Sequence, residues 1–261
     1  MKLEFFKYHG AGNDFVMIDC RNSPESFFNN DIVEFLCDRH LGIGSDGLIL
    51  LLSDKNADFR MKYFNSDGNE GTMCGNGGRC IAAFARDLGI ITEKATFTGI
   101  DGLHLANILG SEMVNLKMID VHSIKKLPDG FLIDTGSPHF VCFRDSIKDI
   151  DVFTEGREIR NQKRFDESGA NVNFVEKITT NTFRMRTYER GVENETLACG
   201  TGSVASAISS YLMQKPDKST YTIEAPGGVL KVQFTPEIDG SFSNVWLEGP
   251  VKFVYKGRIQ L

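Results

Sequence analysis

The sequence lacks the features that mark membrane, secreted and nucleic-acid-binding proteins. Its longest run of leucine and isoleucine, Leu48–Leu52, is far shorter than the roughly 20 residues that cross a bilayer as a helix. Positive charge is not in excess, because the formal net charge is −6, so we expect no nucleic-acid partner. Glu4 and His9 interrupt the N-terminal segment, which therefore does not resemble a signal peptide. We expect a cytoplasmic protein that does not associate with membranes.

Motifs for disulfide scaffolds, metals and nucleotides are also missing. The six cysteines in 261 residues include no CxxC pair, so neither a disulfide framework nor a zinc ribbon is predicted. No HExxH motif occurs and only five histidines are scattered along the chain, which makes a metal hydrolase the weakest alternative. The glycine-rich segment Cys74–Gly78 completes neither GxxxxGK[ST] nor GxGxxG, so a phosphate-binding loop is disfavoured. We predict no metal and no cofactor.

The residues that are present indicate a globular protein of the α+β or mixed α/β class. Hydrophobic residues make up 41% of the chain and charged residues 25%, as in folded domains. Apolar and polar side chains alternate in Phe59–Tyr63 and Phe183–Thr187, which predicts strands. Helical periodicity occurs in Ile32–His40, Ile81–Leu88 and Val204–Leu212, with Gly89 as a stop signal.

The chain contains an internal repeat. Phe59–Lys62, a polar turn and Cys74–Gly77 recur, nearly half a chain length later, as Phe183–Arg186, a polar turn and Cys199–Gly202. We therefore predict two similar halves, 1–122 and 123–249, with a boundary in the turn-rich region 119–130. The final segment, 250–261, follows Gly249-Pro250 and is a candidate to return to the first half.

Each half places a cysteine where a helix is predicted to begin. Unpaired amides and the helix dipole stabilise negative charge at that position, so they favour thiolate and attract a carboxylate. Glycines at 75, 77, 78, 200 and 202 let backbone approach a ligand. If the halves face each other, Cys74 and Cys199 would meet one substrate carbon from opposite sides. A single cysteine beside glycine is usually a small buried hydrophobe, but two in matching contexts favour acid/base chemistry.

These motifs resemble the diaminopimelate epimerases, which belong to the pyridoxal-phosphate-independent amino acid racemases and epimerases. The resemblance covers essentially the whole chain. It rests on these segments: His9–Phe15, Phe64–Gly68, Met73–Cys80, Tyr188–Gly191 and Ala198–Gly202.

The resemblance implies a small-molecule substrate and a fold. The reaction would interconvert LL- and meso-2,6-diaminopimelate, without a cofactor, in lysine and peptidoglycan precursor synthesis. Each pseudo-symmetric domain would be a β-barrel-like sheet around a central helix. Members of the family are commonly homodimers.

The resemblance also implies roles for individual residues. Cys74 matches a proton donor and Cys199 an acceptor, with the roles exchanged in the reverse direction. The matching substrate-binding residues are Asn13, Asn65, Gly75, Asn76, Asn171, Glu189, Arg190, Gly200 and Thr201. Among these, Arg190 is the candidate for the distal carboxylate, since a guanidinium binds carboxylates bidentately. Asn65 lies in Asn-Ser-Asp-Gly and is equally explained as a turn former.

His139 and Glu189 match positions thought to tune the two thiols. An imidazolium would stabilise thiolate and a carboxylate would favour the protonated thiol, although a structural hydrogen bond explains His139 equally well. This chain departs from the family at two positions. Many relatives carry Asn where it has Ser137, and some carry Gln where it has Gly47, so contacts to the distal end of the substrate are the least secure.

Two other functions remain as alternatives. A proline racemase-like enzyme would be expected to carry His where this chain has Asn76. A thiol redox sensor, with a disulfide between Cys74 and Cys199, would not turn over substrate in the presence of reductant. The remaining cysteines, Cys20, Cys37, Cys80 and Cys142, are predicted to pack in the interior.

Overall fold

The computed structural model describes residues 2–165, 169–214 and 219–261. The chain divides into two compact units, Met1–Leu116 with Gly249–Leu261, and Lys117–Glu248. The sequence placed this division after residue 122, a few residues later. The final segment belongs to the first unit, because it pairs with the N-terminal strand.

The first unit is a mixed sheet with two α-helices. Its strands are β1 (Lys2–Gly10), β2 (Asn13–Asp19), β3 (Gly47–Leu52), β4 (Phe59–Asn65), β5 (Lys94–Gly99), β6 (Gly102–Ile108), β7 (Met113–Lys117) and β17 (Lys252–Gln260). Its helices are α1 (Asn30–Cys37) and α2 (Gly75–Asp87), with a 3₁₀ turn at Glu25–Phe27. The strand order is β17-β1-β2-β3-β4-β5-β6-β7. The β2–β3 and β4–β5 pairs are parallel and bridged by α1 and α2.

The second unit repeats this plan. Its strands are β8 (Ile124–Leu127), β9 (Gly130–Asp134), β10 (Pro138–Arg144), β11 (Asn171–Lys177), β12 (Thr182–Glu189), β13 (Asn194–Thr196), β14 (Thr220–Ala225), β15 (Gly228–Pro236) and β16 (Phe242–Pro250). Its helices are α3 (Val152–Arg160) and α4 (Gly200–Gln214). The order is β8-β9-β10-β11-β12-β14-β15-β16, with β13 attached to β12. β10–β11 and β12–β14 are the parallel pairs. When the two strand orders are aligned, β17 of the first unit corresponds to β8 of the second.

In each unit one helix lies inside the curved sheet and one lies outside it. Helix α2 contacts β1, β2, β3, β4 and β6, and α4 contacts β9, β10, β11, β12, β14 and β15. Nearly every α2 residue is buried. The outer helix α1 packs Val33, Leu36 and Cys37 against alternate residues of β3. The apolar run Leu48–Leu52 is therefore a strand that is buried on both faces.

The sequence predictions of fold class and buried cysteines are confirmed. The structure is α+β with two similar units, each with a helix inside its sheet. Cys20, Cys37, Cys80 and Cys142 are at most 3% exposed, and burial raises the pKa of Cys20 to about 12 and of Cys142 to about 11. These thiols stay protonated at neutral pH.

Candidate active site

Cys74 lies at the N-terminus of α2. It is the N-cap residue, in an extended backbone conformation, and its carbonyl oxygen accepts a 2.8 Å hydrogen bond from Gly78 N. The thiol itself makes no capping bond to the helix and is partly exposed. The helix dipole makes this end of α2 favourable for an anion. The predicted placement of Cys74 at a helix start is confirmed.

The side chain of Asn13 presents an acceptor to Cys74. Asn13 Nδ2 donates to Asp46 Oδ2 at 2.7 Å, and a carboxylate can only accept at neutral pH. Asn13 Oδ1 therefore faces the other way. It lies 3.7 Å from Cys74 Sγ, which donates to it, and accepts from Asn76 Nδ2 at 3.2 Å. This environment favours the protonated thiol at Cys74, because the S–H has an acceptor.

Arg79 fixes the amide of Asn76 from inside the unit. Arg79 is fully buried, and its Nη2 donates to Asn76 Oδ1 at 2.7 Å while Nη1 donates to Gly75 O at 3.2 Å. Among the residues that the structure describes, no carboxylate lies within ion-pair distance of it. Burial lowers the pKa of Arg79, yet a guanidinium keeps its charge. The sequence analysis did not single out Arg79, although its spacing of three residues from Asn76 predicts contact on a helix.

An ion cluster supports Asn13 from the opposite side. Lys7 is buried and contacts both Gly44 O and Asp14 Oδ2, the latter at 2.6 Å. Arg39 bridges Asp14 Oδ1 at 2.8 Å and Asp46 Oδ1 at 2.7 Å. Burial raises the pKa of Asp14, but hydrogen bonds from Arg39 and Lys7 outweigh it and lower the value to about 2. Asp46 is thus held in place to accept from Asn13.

Cys199 lies at the equivalent position of the second unit, next to donors. It directly precedes α4, and its carbonyl oxygen accepts from Ser203 N at 2.9 Å. Its sulfur accepts from Gly202 N at 3.4 Å and lies 3.4 Å from Thr201 Oγ1. Only 6% of Cys199 is exposed. Because hydrogen bonds to the charged form favour that form, these contacts favour a thiolate.

His139 and Cys199 both contact the hydroxyl of Thr201. His139 Nε2 lies 2.9 Å from Thr201 Oγ1, and His139 Nδ1 lies 3.0 Å from Asn173 Nδ2. Complete burial, aided by the positive charge of Arg190, lowers the pKa of His139 to about 3. Burial disfavours the charged ring, so these contacts support the structural hydrogen bond, which the sequence offered for His139 as an equal alternative to the imidazolium.

Two predicted substrate-binding residues, Asn171 and Arg190, lie together with Ser137. Asn171 Nδ2 donates to Ser137 Oγ at 2.9 Å, and Asn171 Oδ1 accepts from Arg190 N at 2.8 Å. Arg190 Nη2 reaches Ser137 Oγ at 3.4 Å. Ser137, which replaces the family's Asn, thus still takes part in the polar cluster.

Glu189 lies beside this cluster at the end of β12. Its Oε2 accepts from Thr196 Oγ1 of β13 at 2.8 Å. The carboxylate is therefore oriented by the short β12–β13 hairpin, which the sequence analysis did not predict.

Asn65 and Gly47 lie opposite each other in the β3–β4 pair. Asn65 is exposed at the end of β4, where its backbone closes a turn through Asn69 O and Gly68 N. No hydrogen bond between Asn65 and Cys74 or Asn13 occurs in the described part of the chain. Gly47, opposite Asn65 in the sheet, has no room for a side chain, since a Cβ would lie 2.6 Å from Phe64 O and 2.6 Å from the ring of Tyr63.

Neither a metal-binding group nor a membrane-spanning helix occurs in the described residues, 2–165, 169–214 and 219–261. They contain no group of three or more His, Cys, Asp or Glu side chains that could hold a metal ion. They also include no helix long and apolar enough to span a membrane.

Comparison with solved structures defines the class of fold. A PhzF-family phenazine biosynthesis protein from Bacillus anthracis superposes with a TM-score of 0.76, at 16% identity and with 100% of both chains covered. A hydroxyproline epimerase from Agrobacterium vitis superposes with a TM-score of 0.71, at 15% identity, covering 100% of this chain and 93% of the other. This chain therefore shares the fold of these two proteins.

Sequence comparison narrows this class to one family. The diaminopimelate epimerase model matches residues 5–115 and 131–254. A diaminopimelate epimerase from Flavobacterium psychrophilum is 46% identical over 98% of this chain and 100% of the relative. A diaminopimelate epimerase from Chlorobaculum tepidum is 42% identical over 97% of this chain and 99% of the relative. The chain belongs to the diaminopimelate epimerase family and is therefore an isomerase.

Proposed function

We propose that this protein interconverts LL- and meso-2,6-diaminopimelate by inverting one α-carbon, with Cys74 and Cys199 as the acid/base pair. The observation that carries the mechanism is the duplication of one local arrangement. Each unit brings a cysteine and a glycine to the start of a helix enclosed by its own sheet. Family membership over nearly the whole chain supplies the substrate.

The surroundings of the two cysteines support opposite protonation states before the reaction, a thiolate at Cys199 and a thiol at Cys74. Cys199 accepts from Gly202 N, whereas Cys74 donates to Asn13 Oδ1. In the direction that this state favours, the Cys199 thiolate removes the α-proton from one face of the carbon. The Cys74 thiol then gives its proton to the opposite face, so one proton is taken and one delivered. The roles are exchanged for the reverse reaction.

Backbone amides are proposed to hold the reacting carboxylate. Gly75-Asn76 and Gly200-Thr201 lie in the first turns of α2 and α4, where unpaired N–H groups stabilise an anion. Negative charge grows on this carboxylate as the carbanion forms, so fixed donors stabilise the transition state more than the bound substrate. Such stabilisation needs neither a metal nor an organic cofactor, and we expect a chelator to leave the rate unchanged.

The distal carboxylate and ammonium of the substrate are assigned to the Ser137, Asn171 and Arg190 cluster, with Glu189 beside it. Arg190 provides a guanidinium for the carboxylate. Asn13, on the other unit, is assigned to the same ligand by family resemblance, as is Asn65. Since Gly47 has no side chain and Asn65 is exposed in a turn, we expect the second unit to provide most of the distal recognition.

The test is epimerisation in deuterated water with purified, reduced protein. LL-diaminopimelate should become a mixture with the meso form and carry deuterium at the inverted carbon. Cys74→Ala and Cys199→Ala should each lower the rate by at least about 10²-fold, the smaller end of general acid–base effects. Cys142→Ala, which removes a buried thiol away from both helix starts, should keep activity.

Alternative substrates and functions are decided by the same assay. Turnover of proline but not diaminopimelate would replace the proposal with a proline racemase. Absence of any turnover in reductant, with reversible formation of a disulfide, would replace it with a redox sensor. Full activity in either alanine variant would refute the acid/base assignment.

We further propose a cytoplasmic homodimer. A reducing compartment keeps both thiols available. Strand β17 pairs with β1 on one edge, and its residues Phe253, Val254 and Tyr255 are 45%, 51% and 43% exposed. Exposed apolar strands usually meet a partner. Sedimentation should give a dimer mass for the native protein and a monomer mass for Val254→Lys; a native monomer at micromolar concentration would contradict the assignment.

A further inference from the structure

The inner face of the second unit contains a buried polar triad where the first unit is apolar. In the second unit, His139, Asn173 and Thr187 lie on β10, β11 and β12, and each is at most 1% exposed. The sheet registers pair His139 with Asn171 and Asn173 with Thr187. The fold alone does not require such polarity, as the equivalent positions of the first unit show.

The equivalent residues of the first unit are Phe15, Ile49 and Tyr63. The registers pair Phe15 with Gly47 and Ile49 with Tyr63, in the pattern of the polar triad. The glycines at the helix starts confirm the match. A Cβ on Gly77 would lie 3.0 Å from Ile49 Cδ1, and a Cβ on Gly202 would lie 2.5 Å from Asn173 Oδ1. Burying polar groups costs free energy unless they are paired, so the triad next to Cys199 needs an explanation.

The orientation of the Asn173 amide determines which atom donates and which accepts in each hydrogen bond of the triad. Asn173 Nδ2 faces Phe140 O at 3.4 Å, and a carbonyl oxygen can only accept. Asn173 Oδ1 correspondingly accepts from Thr187 Oγ1 at 2.9 Å. The amide is thereby oriented with Nδ2 toward His139 Nδ1, 3.0 Å away. His139 Nδ1 must accept this bond, so the proton of the neutral ring lies on Nε2.

The same donor and acceptor roles extend from His139 through Thr201 to the sulfur of Cys199. His139 Nε2–H donates to Thr201 Oγ1 at 2.9 Å. Asn171 Nδ2 also approaches Nε2, but at 3.4 Å, and its hydrogens have acceptors at Ser137 Oγ and Pro138 O. Since Thr201 Oγ1 receives the imidazole proton, its own hydrogen is left to point toward Cys199 Sγ, 3.4 Å away.

We propose that Asn173, supported by Thr187, is a positioning residue that holds His139 in the Nε2–H tautomer and so makes the Thr201 hydroxyl a donor to the Cys199 thiolate. This rests on the proposed function in that Cys199 is taken as one of the two acid/base thiols. In this proposal Asn173 acts on the sulfur through His139 and Thr201. Cys199 is consequently the base in the ligand-free protein.

The first measurement reads the tautomer directly in the native protein. Nitrogen-15 spectra of histidine-labelled protein distinguish protonated from unprotonated ring nitrogens, and His139→Gln assigns the signals. We expect Nε2 protonated and Nδ1 unprotonated from pH 5 to 8. A protonated Nδ1 in the native protein would overturn the proposal.

The second measurement titrates the thiolate of Cys199 by its ultraviolet absorbance. A Cys74→Ser background removes the other reactive thiol, and burial raises the pKa of Cys20, Cys37, Cys80 and Cys142 above that of an ordinary thiol. In this background Asn173→Leu should raise the Cys199 midpoint by about one pH unit, which is tenfold less thiolate at a given pH below it. Thr187→Val, one step further along, should shift it in the same direction by less.

The matched control is Ser206→Ala, which removes another buried hydroxyl from α4, one bonded to Met185 Sδ. It should leave the Cys199 midpoint unchanged. The ionisable side chains near this site, Asp134, Glu189 and Arg190, are present in every variant. Equal Cys199 midpoints in Asn173→Leu and Ser206→Ala would overturn the proposal. If Asn173→Leu does not fold, the Cys199 midpoint of Thr187→Val and the nitrogen-15 spectrum of the native protein still decide it.

Catalysis supplies a separate readout with the Cys74 side chain restored. Asn173→Leu should lower kcat, with KM little changed, because it alters the base and not the binding residues. A change in KM alone would contradict the role. Should the native protein fail to epimerise diaminopimelate, the proposed function falls, whereas the tautomer and the titration of Cys199 remain decisive for this inference.

Discussion

At the scale of single residues, the acceptor that faces Cys74 depends on Asp14 and its partners. Asp14 joins the buried Lys7 to Arg39, and Arg39 in turn holds Asp46, which orients Asn13. A buried ammonium without a carboxylate would lose its charge or destabilise the unit. The ion cluster therefore has a structural role in β1 and β2 as well as a place in the orientation of the Cys74 thiol.

Asp14 should give the protein a measurable acid sensitivity. Its pKa is lowered from 3.8 to about 2, so its ionised form stabilises the folded state fully above pH 4, and this stabilisation is lost as pH falls through 2. The free energy of unfolding of Asp14→Asn, measured with urea, should lie below the native value at pH 7. The pH-dependent part of that gap, at most about 2 kcal/mol, should close as pH falls from 4 toward 2.

A matched variant separates this effect from general loss of charge. Asp129 forms an ion pair with Arg164, but its side chain is 53% exposed. Asp129→Asn should therefore cost less than about 1 kcal/mol. A gap between native protein and Asp14→Asn that stays constant from pH 7 to pH 2 would contradict the low pKa of Asp14.

The sequence analysis identified residues that occur in the repeated motifs. It missed residues that orient the side chains of those motifs. Cys74 and Cys199 could be found because each recurs in the same strand, turn and helix context. Asn173 and Arg79 could not be found in this way. Asn173 matters because of the atom of His139 that it faces, and Arg79 because of the atom of Asn76 that it faces. The charge state of His139 was also out of reach, since it depends on complete burial rather than on neighbours in the sequence.

At the scale of elements, strands were easier to predict than helix starts. The alternation in Phe59–Tyr63 and Phe183–Thr187 locates β4 and β12. Helices α2 and α4, in contrast, begin at Gly75 and Gly200, several residues before the apolar periodicity becomes visible. Glycine disfavours helix locally, and enclosure of both helices by their sheets overrides this preference, which places the cysteines at the helix starts.

At the scale of the whole molecule, the chain is a duplication in which one strand has changed its position in the sequence. β8 and β9 form a hairpin, with Leu127 opposite Gly130. β17 and β1 form the equivalent pair, with Gln260 opposite Lys2, but they are the two ends of the chain. The first unit therefore reproduces the second if the C-terminal strand is read as preceding the N-terminal one.

A circular permutant should consequently fold and keep its activity. The native termini, adjacent across the β17–β1 pair, would be joined by a loop of about three residues, a usual hairpin length. New termini would open between Pro250 and Val251, which leaves every strand intact and one covalent connection between the units. We expect a native circular dichroism spectrum and epimerisation of diaminopimelate, because the cut falls between two strands and not inside one. The control opens the chain between Leu50 and Leu51, inside a strand that is buried on both faces, and should not fold. Equal failure of both permutants would show that β17 cannot precede β1 as β8 precedes β9.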